Sequence, residues 1–396
     1  MLPADERLCH YNVERLECSQ PNRYTQITMQ HIGIDTRLTY YRTGGISTYM
    51  RRLVSAFERL DIKNRYTIFE SRKNQDAITT RFERAKLWTP CHHRFERITL
   101  SVELARFNLD ILHSPDFIPP IRGAKRHIIT VHDLTFFHYP QYLTADSRRY
   151  YNDQIETAVT HADHIMAESM TTKTDLIKML AVPEEKITLH MLGVDERFRP
   201  IAADELAKYQ RKLNLPEKFI LFVGTFEPRK NILGLAQAYQ KIVQRMPDAP
   251  SLVLVGRRGW LIDETLAQIE RLKLGDRVIW REDISDEMLP VVYNLASVLV
   301  LPSFYEGFGF PALEAMACGT VPIVSNRSSL PEVVGDVGLQ IEPEDTDAIA
   351  DAIQKAITDT EWRKNNQIDG LERAKTFTWD KTASIVLSVY ETLCKS

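Results

Sequence analysis

Pro302-Ser-Phe-Tyr-Glu-Gly-Phe-Gly-Phe-Pro-Ala-Leu-Glu-Ala-Met-Ala-Cys-Gly-Thr-Val-Pro322 places two carboxylates, Glu306 and Glu314, around a loop of Gly307, Phe308, Gly309 and Phe310. Pro311 opens a helix, as proline does at a first helical position. An apolar strand over 296–301 runs in and a second over 321–325 leaves. This is a strand–loop–helix–strand unit of an α/β fold. Its turn offers free backbone amides beside two groups able to grip hydroxyls, a combination suited to a sugar joined to a phosphate.

Working outward, the same alternation covers most of the chain. Strands are expected over 32–34, 66–69, 111–112, 127–131, 164–167 and 186–190, with helical patterns over 46–60 and 147–162 between them. A polar helical stretch with Asp204, Glu205, Lys208 and Arg211 follows Pro200, and a new series begins at 219–223, 251–255, 278–280, 298–301 and 321–324. Strands alternating with helices predict parallel sheets covered on both faces. The expectation is two facing, doubly wound, Rossmann-like domains with a cleft at the carboxyl ends of their strands. The division is expected at 29–197 and 198–374, with a final amphipathic helix in 375–396. Residues 1–28 lack a period and read as an extension; Met29, directly before the first strand, is an alternative start.

Composition narrows the function classes. The chain has 396 residues, 44% hydrophobic and 26% charged, the balance of an ordinary globular protein with real cores. A net charge of −3 gives no basic field for nucleic acid. Five scattered cysteines without a C-x-x-C pair indicate neither a disulfide framework nor a zinc site, and a reduced, cytoplasmic setting fits them. No apolar run reaches the ~18 residues of a membrane span. Asp5, Glu6 and Arg7 with no apolar stretch behind them do not resemble a signal peptide.

Several smaller motifs sit at strand ends. Gly44-Gly45 precedes the helix over 46–60, where glycine lets backbone approach an anion, or simply makes a turn; Arg37 and Arg42 are near enough to add charge. His132-Asp133 closes the strand over 127–131, so His132 faces a cleft or satisfies local backbone. His138, His161, His164 and the pair His92-His93 fit the plainer role. Glu227-Pro228-Arg229-Lys230-Asn231 follows another strand end; Arg229 and Lys230 suit a diphosphate, the one as a fork and the other as a point charge. Gly256-Arg257-Arg258-Gly259 reads as a basic turn. Residues 81–106 interleave arginines and Lys86 with Phe82, Trp88 and Phe95, either a solvated helical surface or a face that docks on anionic membrane.

Taken together, Glu306-x7-Glu314 within E-G-F-G-F-P-A-L-E-A-M-A-C-G, with G-T-F-E-P-R-K-N and V-H-D-L, resembles the retaining glycosyltransferases of family four on the GT-B fold. The likeness runs from His31 to the last helix and is nearest the branch with bacterial O-antigen and exopolysaccharide mannosyltransferases. It implies that Glu306, with the amides of Gly307 to Gly309, binds donor-sugar hydroxyls and that Glu314 holds the ribose. Arg229 and Lys230 would clamp the diphosphate, His132 would contact the transferred sugar, Gly44 and Gly45 would lie near the phosphate, and Phe308 and Phe310 would complete the donor loop. Gly193-Val194-Asp195 matches the end of the first domain. Many relatives carry arginine where this chain has Thr225, a charge left for Arg229 to supply.

The implied donor is a nucleotide sugar, GDP-mannose foremost with a UDP-sugar as the other choice. The implied acceptor is a glycan or lipid-linked saccharide in polysaccharide biosynthesis, handled in the cytoplasm with peripheral contact to the inner membrane face. The chain is read as carrying no D-x-D triplet, so a metal-bound diphosphate is not required and no metal or other cofactor is assigned. The competing readings are a sugar-nucleotide epimerase or phosphorylase on the same fold, and a non-catalytic scaffold. Nothing singles out a pyridoxal lysine, and Glu306 and Lys230, which a degenerate scaffold would be expected to lose, are both present.

Overall fold

The computed structural model describes residues 29–41 and 44–395, the side chains of 146, 147, 149 and 150 excepted. The expected extension over 1–28, and Arg42, lie outside the described residues. Among the described residues, thirteen strands form two parallel sheets. The first holds β1 (His31–Asp35), β2 (Arg65–Ser71), β3 (Glu83–Leu87), β4 (Leu109–Ser114), β5 (Ala124–Val131), β6 (His164–Ala167) and β7 (Ile187–Leu189), in the order β3-β2-β1-β4-β5-β6-β7. The second holds β8 (Phe219–Val223), β9 (Ser251–Val255), β10 (Val278–Arg281), β11 (Val298–Leu301), β12 (Pro322–Ser325) and β13 (Leu339–Ile341), in the order β10-β9-β8-β11-β12-β13.

Both orders reverse direction beside their first strand, between β1 and β4 and between β8 and β11. Such switch points open a crevice at the carboxyl strand ends. Helices cover both faces, so the central strands are apolar throughout; every residue of β8 and β11 is buried.

Two edge strands escaped the sequence reading. β3 is Glu-Arg-Ala-Lys-Leu, with Leu87 its one buried residue. It corrects the helical reading of 81–106, in which only Glu96–Leu104 is an α-helix. A charged edge strand carries little apolar alternation because its polar groups guard an open sheet edge. β13 is three residues long, too short for a period to show.

The final helix, Trp379–Leu393, lies on the helix Gly45–Leu60 of the first sheet's side. Tyr390 Oη meets His113 Nδ1 at 2.7 Å, and Thr382 donates to the Met191 carbonyl at 2.7 Å. Gly193 makes this crossing feasible, since a Cβ there would stand 2.2 Å from the Trp379 nitrogen.

Candidate active site

The two switch points face each other across a cavity of about 430 Å³. The first domain contributes Gly44, Gly45, Asp116, His132, Asp133 and Glu168; the second contributes Arg229, Lys230, the run Glu306 to Pro311, and Glu314. Every site residue expected from the sequence thus lines one cleft. Arg37 does not. It is 1% exposed and tied to Asp35 and Glu96 at 2.7 and 2.8 Å, so it adds no charge to the glycine turn.

The donor-loop candidate is pinned from below. Ser328 Oγ accepts from the Glu306 amide at 2.9 Å, and Ser329 Oγ donates to the carbonyls of Glu306 and Phe308 at 2.9 and 2.7 Å. Gly309, at φ 108°, turns the chain into the helix Phe310–Ala317. Gly307 touches the opposite domain; a Cβ on it would lie 2.4 Å from the His132 carbonyl oxygen. Phe310 reaches across to Gly45 and stacks at 6.3 Å on Trp379.

Charge concentrates on the second wall. Lys230 Nζ donates to Glu306 Oε1 and Oε2 at 2.5 and 2.7 Å, and Ser303 donates to Oε1 at 2.8 Å. Arg229 contacts Glu306 Oε2 at 3.1 Å, the Tyr305 carbonyl at 3.0 Å and Glu227 at 3.1 Å. Burial opposes a charge on Glu306, but Lys230 and Arg229 outweigh it and hold its carboxyl down at about 2. Burial and the Arg229 guanidinium lower Lys230 in spite of Glu306. The Lys230–Asn231 turn is set by Asn231, at φ 55°, whose side chain caps the helix Ile232–Arg245.

The first wall carries a charge pair. His132 Nδ1 is 2.6 Å from Glu168 Oε1, and Nε2 donates to the Pro115 carbonyl at 2.7 Å. Burial disfavours the imidazolium, yet Glu168, Asp116 and the Pro115 carbonyl raise it to about 9. Both ring nitrogens face acceptors, so His132 stands at neutral pH as a cation that donates twice. Glu168 and Asp116 were missed in the sequence. Glu168 directly follows the buried β6, and a carboxylate at a carboxyl strand end was the available signal.

Glu314 sits at the far end of the cleft, where Tyr293 Oη donates to it at 2.8 Å. Burial lifts its carboxyl to about 7 against the pull of Tyr293 and Arg197. The cleft is bridged at its rim. Trp260 Nε1 donates to the Tyr142 carbonyl at 2.6 Å, Tyr305 Oη to Asp175 at 2.6 Å, and the amides of Met170 and Thr171 to Glu332 at 2.6 and 2.8 Å. His138 stacks on Tyr305 at 4.9 Å and pairs with Asp175 at 2.8 Å, in place of the local backbone partner expected for it.

The sequence does hold one D-x-D triplet, Asp345-Thr346-Asp347, against expectation. It lies outside the cleft lining; Asp345 caps the helix Thr346–Thr358 and Asp347 pairs with Lys241 at 2.8 Å.

Residues 43–198 match the family model described as Glycosyltransferase Family 4, and residues 204–370 match Glycosyl transferases group 1. The chain is 36% identical to O-antigen chain mannosyltransferase B of Escherichia coli over 72% of its own length and 74% of that protein's. It is 30% identical to serotype-specific mannosyltransferase WbdA of Escherichia coli over 70% of its length, spanning 35% of that longer protein. Its fold matches sucrose-phosphate synthase from Thermosynechococcus elongatus with a TM-score of 0.75 at 24% identity, over 92% of this chain and 99% of the other.

Proposed function

The chain belongs to the group 1, family 4 glycosyltransferases of GT-B fold, and we propose that it moves mannose, with retention, from GDP-mannose to a hydroxyl of a growing glycan or lipid-linked saccharide in O-antigen polysaccharide synthesis. The observation that carries the reading is the Lys230–Glu306–Arg229 cluster on one wall of the cleft, with the His132–Glu168 pair on the other. The names of the relatives supply mannose. The residue roles and the division at 29–197, 198–374 and 375–396 belong to the same proposal.

Breaking the bond between the anomeric carbon and the phosphate oxygen is the difficult step. Negative charge grows on the leaving diphosphate, and Lys230, Arg229 and the amides of Gly45 and Gly307 to Gly309 meet it already oriented. Of the three Lys230 hydrogens, two are given to Glu306, which leaves one for a phosphate oxygen. Glu306, ionised and held from three sides, accepts from sugar hydroxyls. The His132 imidazolium adds fixed positive charge on the opposite wall. The acceptor hydroxyl attacks on the leaving-group face, its proton passes to the departing phosphate oxygen, and GDP leaves. Glu314 receives the ribose hydroxyls.

No described helix is long and apolar enough to cross a membrane. We place the reaction in the cytoplasm, with peripheral contact to the inner membrane face.

Thermal denaturation with GDP, UDP and ADP, followed by transfer assays with GDP-mannose, tests the reading. GDP at a hundred times its Kd is expected to stabilise by about 2.7 kcal/mol. Stabilisation by UDP or ADP alone, or no mannose transfer, would overturn the donor assignment.

A further inference from the structure

We propose that Tyr49 is a positioning residue for transfer: its hydroxyl is a link in a one-way chain of buried hydrogen bonds that holds the glycine turn against the His132–Glu168 pair. This rests on the role proposed above for His132. Donor and acceptor at every link follow from one carbonyl. His190 Nδ1 lies 3.0 Å from the Ala167 carbonyl, which can only accept, so Nδ1 carries the hydrogen. Burial holds His190 and His113 down at about 3, and the His132 charge pushes the same way, so both rings are neutral. His190 Nε2 is then an acceptor, and the Tyr49 hydroxyl donates to it at 3.1 Å. That spends the Tyr49 hydrogen, so the Thr130 hydroxyl donates to Tyr49 Oη at 3.0 Å. The Thr130 hydrogen is spent in turn, so His113 Nε2 donates to Thr130 Oγ1 at 2.9 Å. His113 Nδ1 is left to accept from Tyr390 Oη at 2.7 Å. The two histidines are therefore opposite tautomers, and all five side chains are buried.

The chain joins the elements that carry the first wall. Tyr49 lies one turn after Gly45 in the helix Gly45–Leu60, and its ring meets the His132 ring edge to face at 5.5 Å and 83°. Thr130 precedes His132 by two residues at the end of β5. Ala167 ends β6 and directly precedes Glu168. Tyr390 belongs to the final helix Trp379–Leu393, whose Trp379 lies 6.3 Å from the Tyr49 ring and stacks on Phe310 of the donor loop. Apolar packing of a helix on a sheet is non-directional. Buried hydrogen bonds are not, and leaving one such group unpaired costs about 1–3 kcal/mol. Each link therefore opposes a slide of the glycine-turn helix along β5 and β6. The chain also keeps two of three neighbouring imidazoles neutral, so the positive charge resides on His132, beside Glu168.

Two measurements on the full chain test this. In protein labelled with nitrogen-15 at histidine, two-bond proton–nitrogen correlation spectra are expected to show His190 protonated on Nδ1 and His113 on Nε2 at neutral pH. The same tautomer on both rings would overturn the chain, whatever the donor proves to be. Tyr49→Phe keeps the ring and removes the hydroxyl. With GDP-mannose as donor it should lower kcat by about ten- to a hundredfold, as a small misplacement in an oriented site does. GDP affinity should stay within about threefold, the mark of an interaction that serves the transition state. The His132 titration midpoint should fall as its seat against Glu168 loosens. Thr130→Val, which cuts the chain on the other side of Tyr49, should reproduce the loss, and Thr130→Ser, which keeps the hydroxyl, should restore transfer. This pair decides the matter if Tyr49→Phe does not fold. Wild-type kcat in Tyr49→Phe or Thr130→Val would overturn the positioning role. So would a lowered melting temperature with kcat and the His132 titration unmoved. Failure of the His132 reading is separable: His132→Gln would then transfer as wild type does, while the two tautomers stay opposite.

Discussion

Lys230 and Glu306, proposed for the diphosphate and for the sugar, are bonded to each other, with Nζ 2.5 and 2.7 Å from the two carboxylate oxygens. Each therefore fixes the other's position, and neither is an independent contact. Removing one partner of such a buried pair typically costs about 3–5 kcal/mol, because the other is left charged and unmatched. Lys230→Ala is thus expected to lose transfer by about 10²–10³ and also to lower the melting temperature. Lys230→Met combined with Glu306→Gln should recover part of the stability and none of the activity. Melting curves and kcat/KM for the three proteins check this; a fully active double variant would sink the assignment.

The His132–Glu168 pair makes a pH prediction. The folded imidazole is raised to about 9 from an ordinary 6.5. Its contribution to stability is therefore fully present below about 6.5 and lost as pH rises through about 9. Glu168→Gln removes the strongest partner, so the alkaline fall should still begin near 6.5 but end at lower pH, and the loss across this window should shrink. Melting temperature against pH, with the histidine ring protons followed by NMR, measures both. An unchanged titration in Glu168→Gln would refute the coupling.

Gly307 and the His132 carbonyl meet where the two walls approach too closely for a side chain. With 2.4 Å available to a Cβ, Gly307→Ala must push the loop or the domain away. Overpacking of this kind costs about 1–3 kcal/mol. A 1 Å displacement in an oriented site can cost about a hundredfold in rate. We expect Gly307→Ala to fold, to bind GDP, and to lose transfer by about that factor. Wild-type kcat would show that the walls need not meet at this point.

Glu332 crosses the cleft to accept from the first amides of the helix Met170–Leu180, a contact that exists only while the domains are together. Glu332→Ala removes that N-terminal partner, worth about 1 kcal/mol by analogy with other helix caps. The variant should show a larger radius of gyration in small-angle scattering and a higher KM for donor. An unaltered scattering profile would mean that Trp260, Tyr142 and Tyr305 hold the domains without it.

Glu314, lifted to about 7 by burial, is expected to make nucleotide binding depend on pH. As an ionised acceptor for ribose hydroxyls it should bind GDP more tightly at pH 8 than at pH 6. Tyr293→Phe removes a bond to the charged form and should move the midpoint upward. Calorimetric titration of GDP at several pH values tests both; a flat profile would place the ribose elsewhere.

The sequence by itself determined the alternation of buried strands and helices, the two sheets, and the residues of the second wall. Those signals are local. β8 and β11 are apolar runs, Asn231 and Gly309 set their turns over a few residues, and Glu306 and Glu314 share one short loop and helix. Tertiary structure alone decided what each charged group does. Glu168 meets His132 because β5 and β6 pair side by side, across 36 residues of chain. Arg37, near the glycine turn in sequence, is drawn inward by Glu96, 59 residues away. β3 could not be read because an edge strand is charged where an interior one is apolar. Short-range periodicity writes the elements into the chain. The protonation of a buried group depends on which distant partner the packing delivers, and no spacing along the sequence records that.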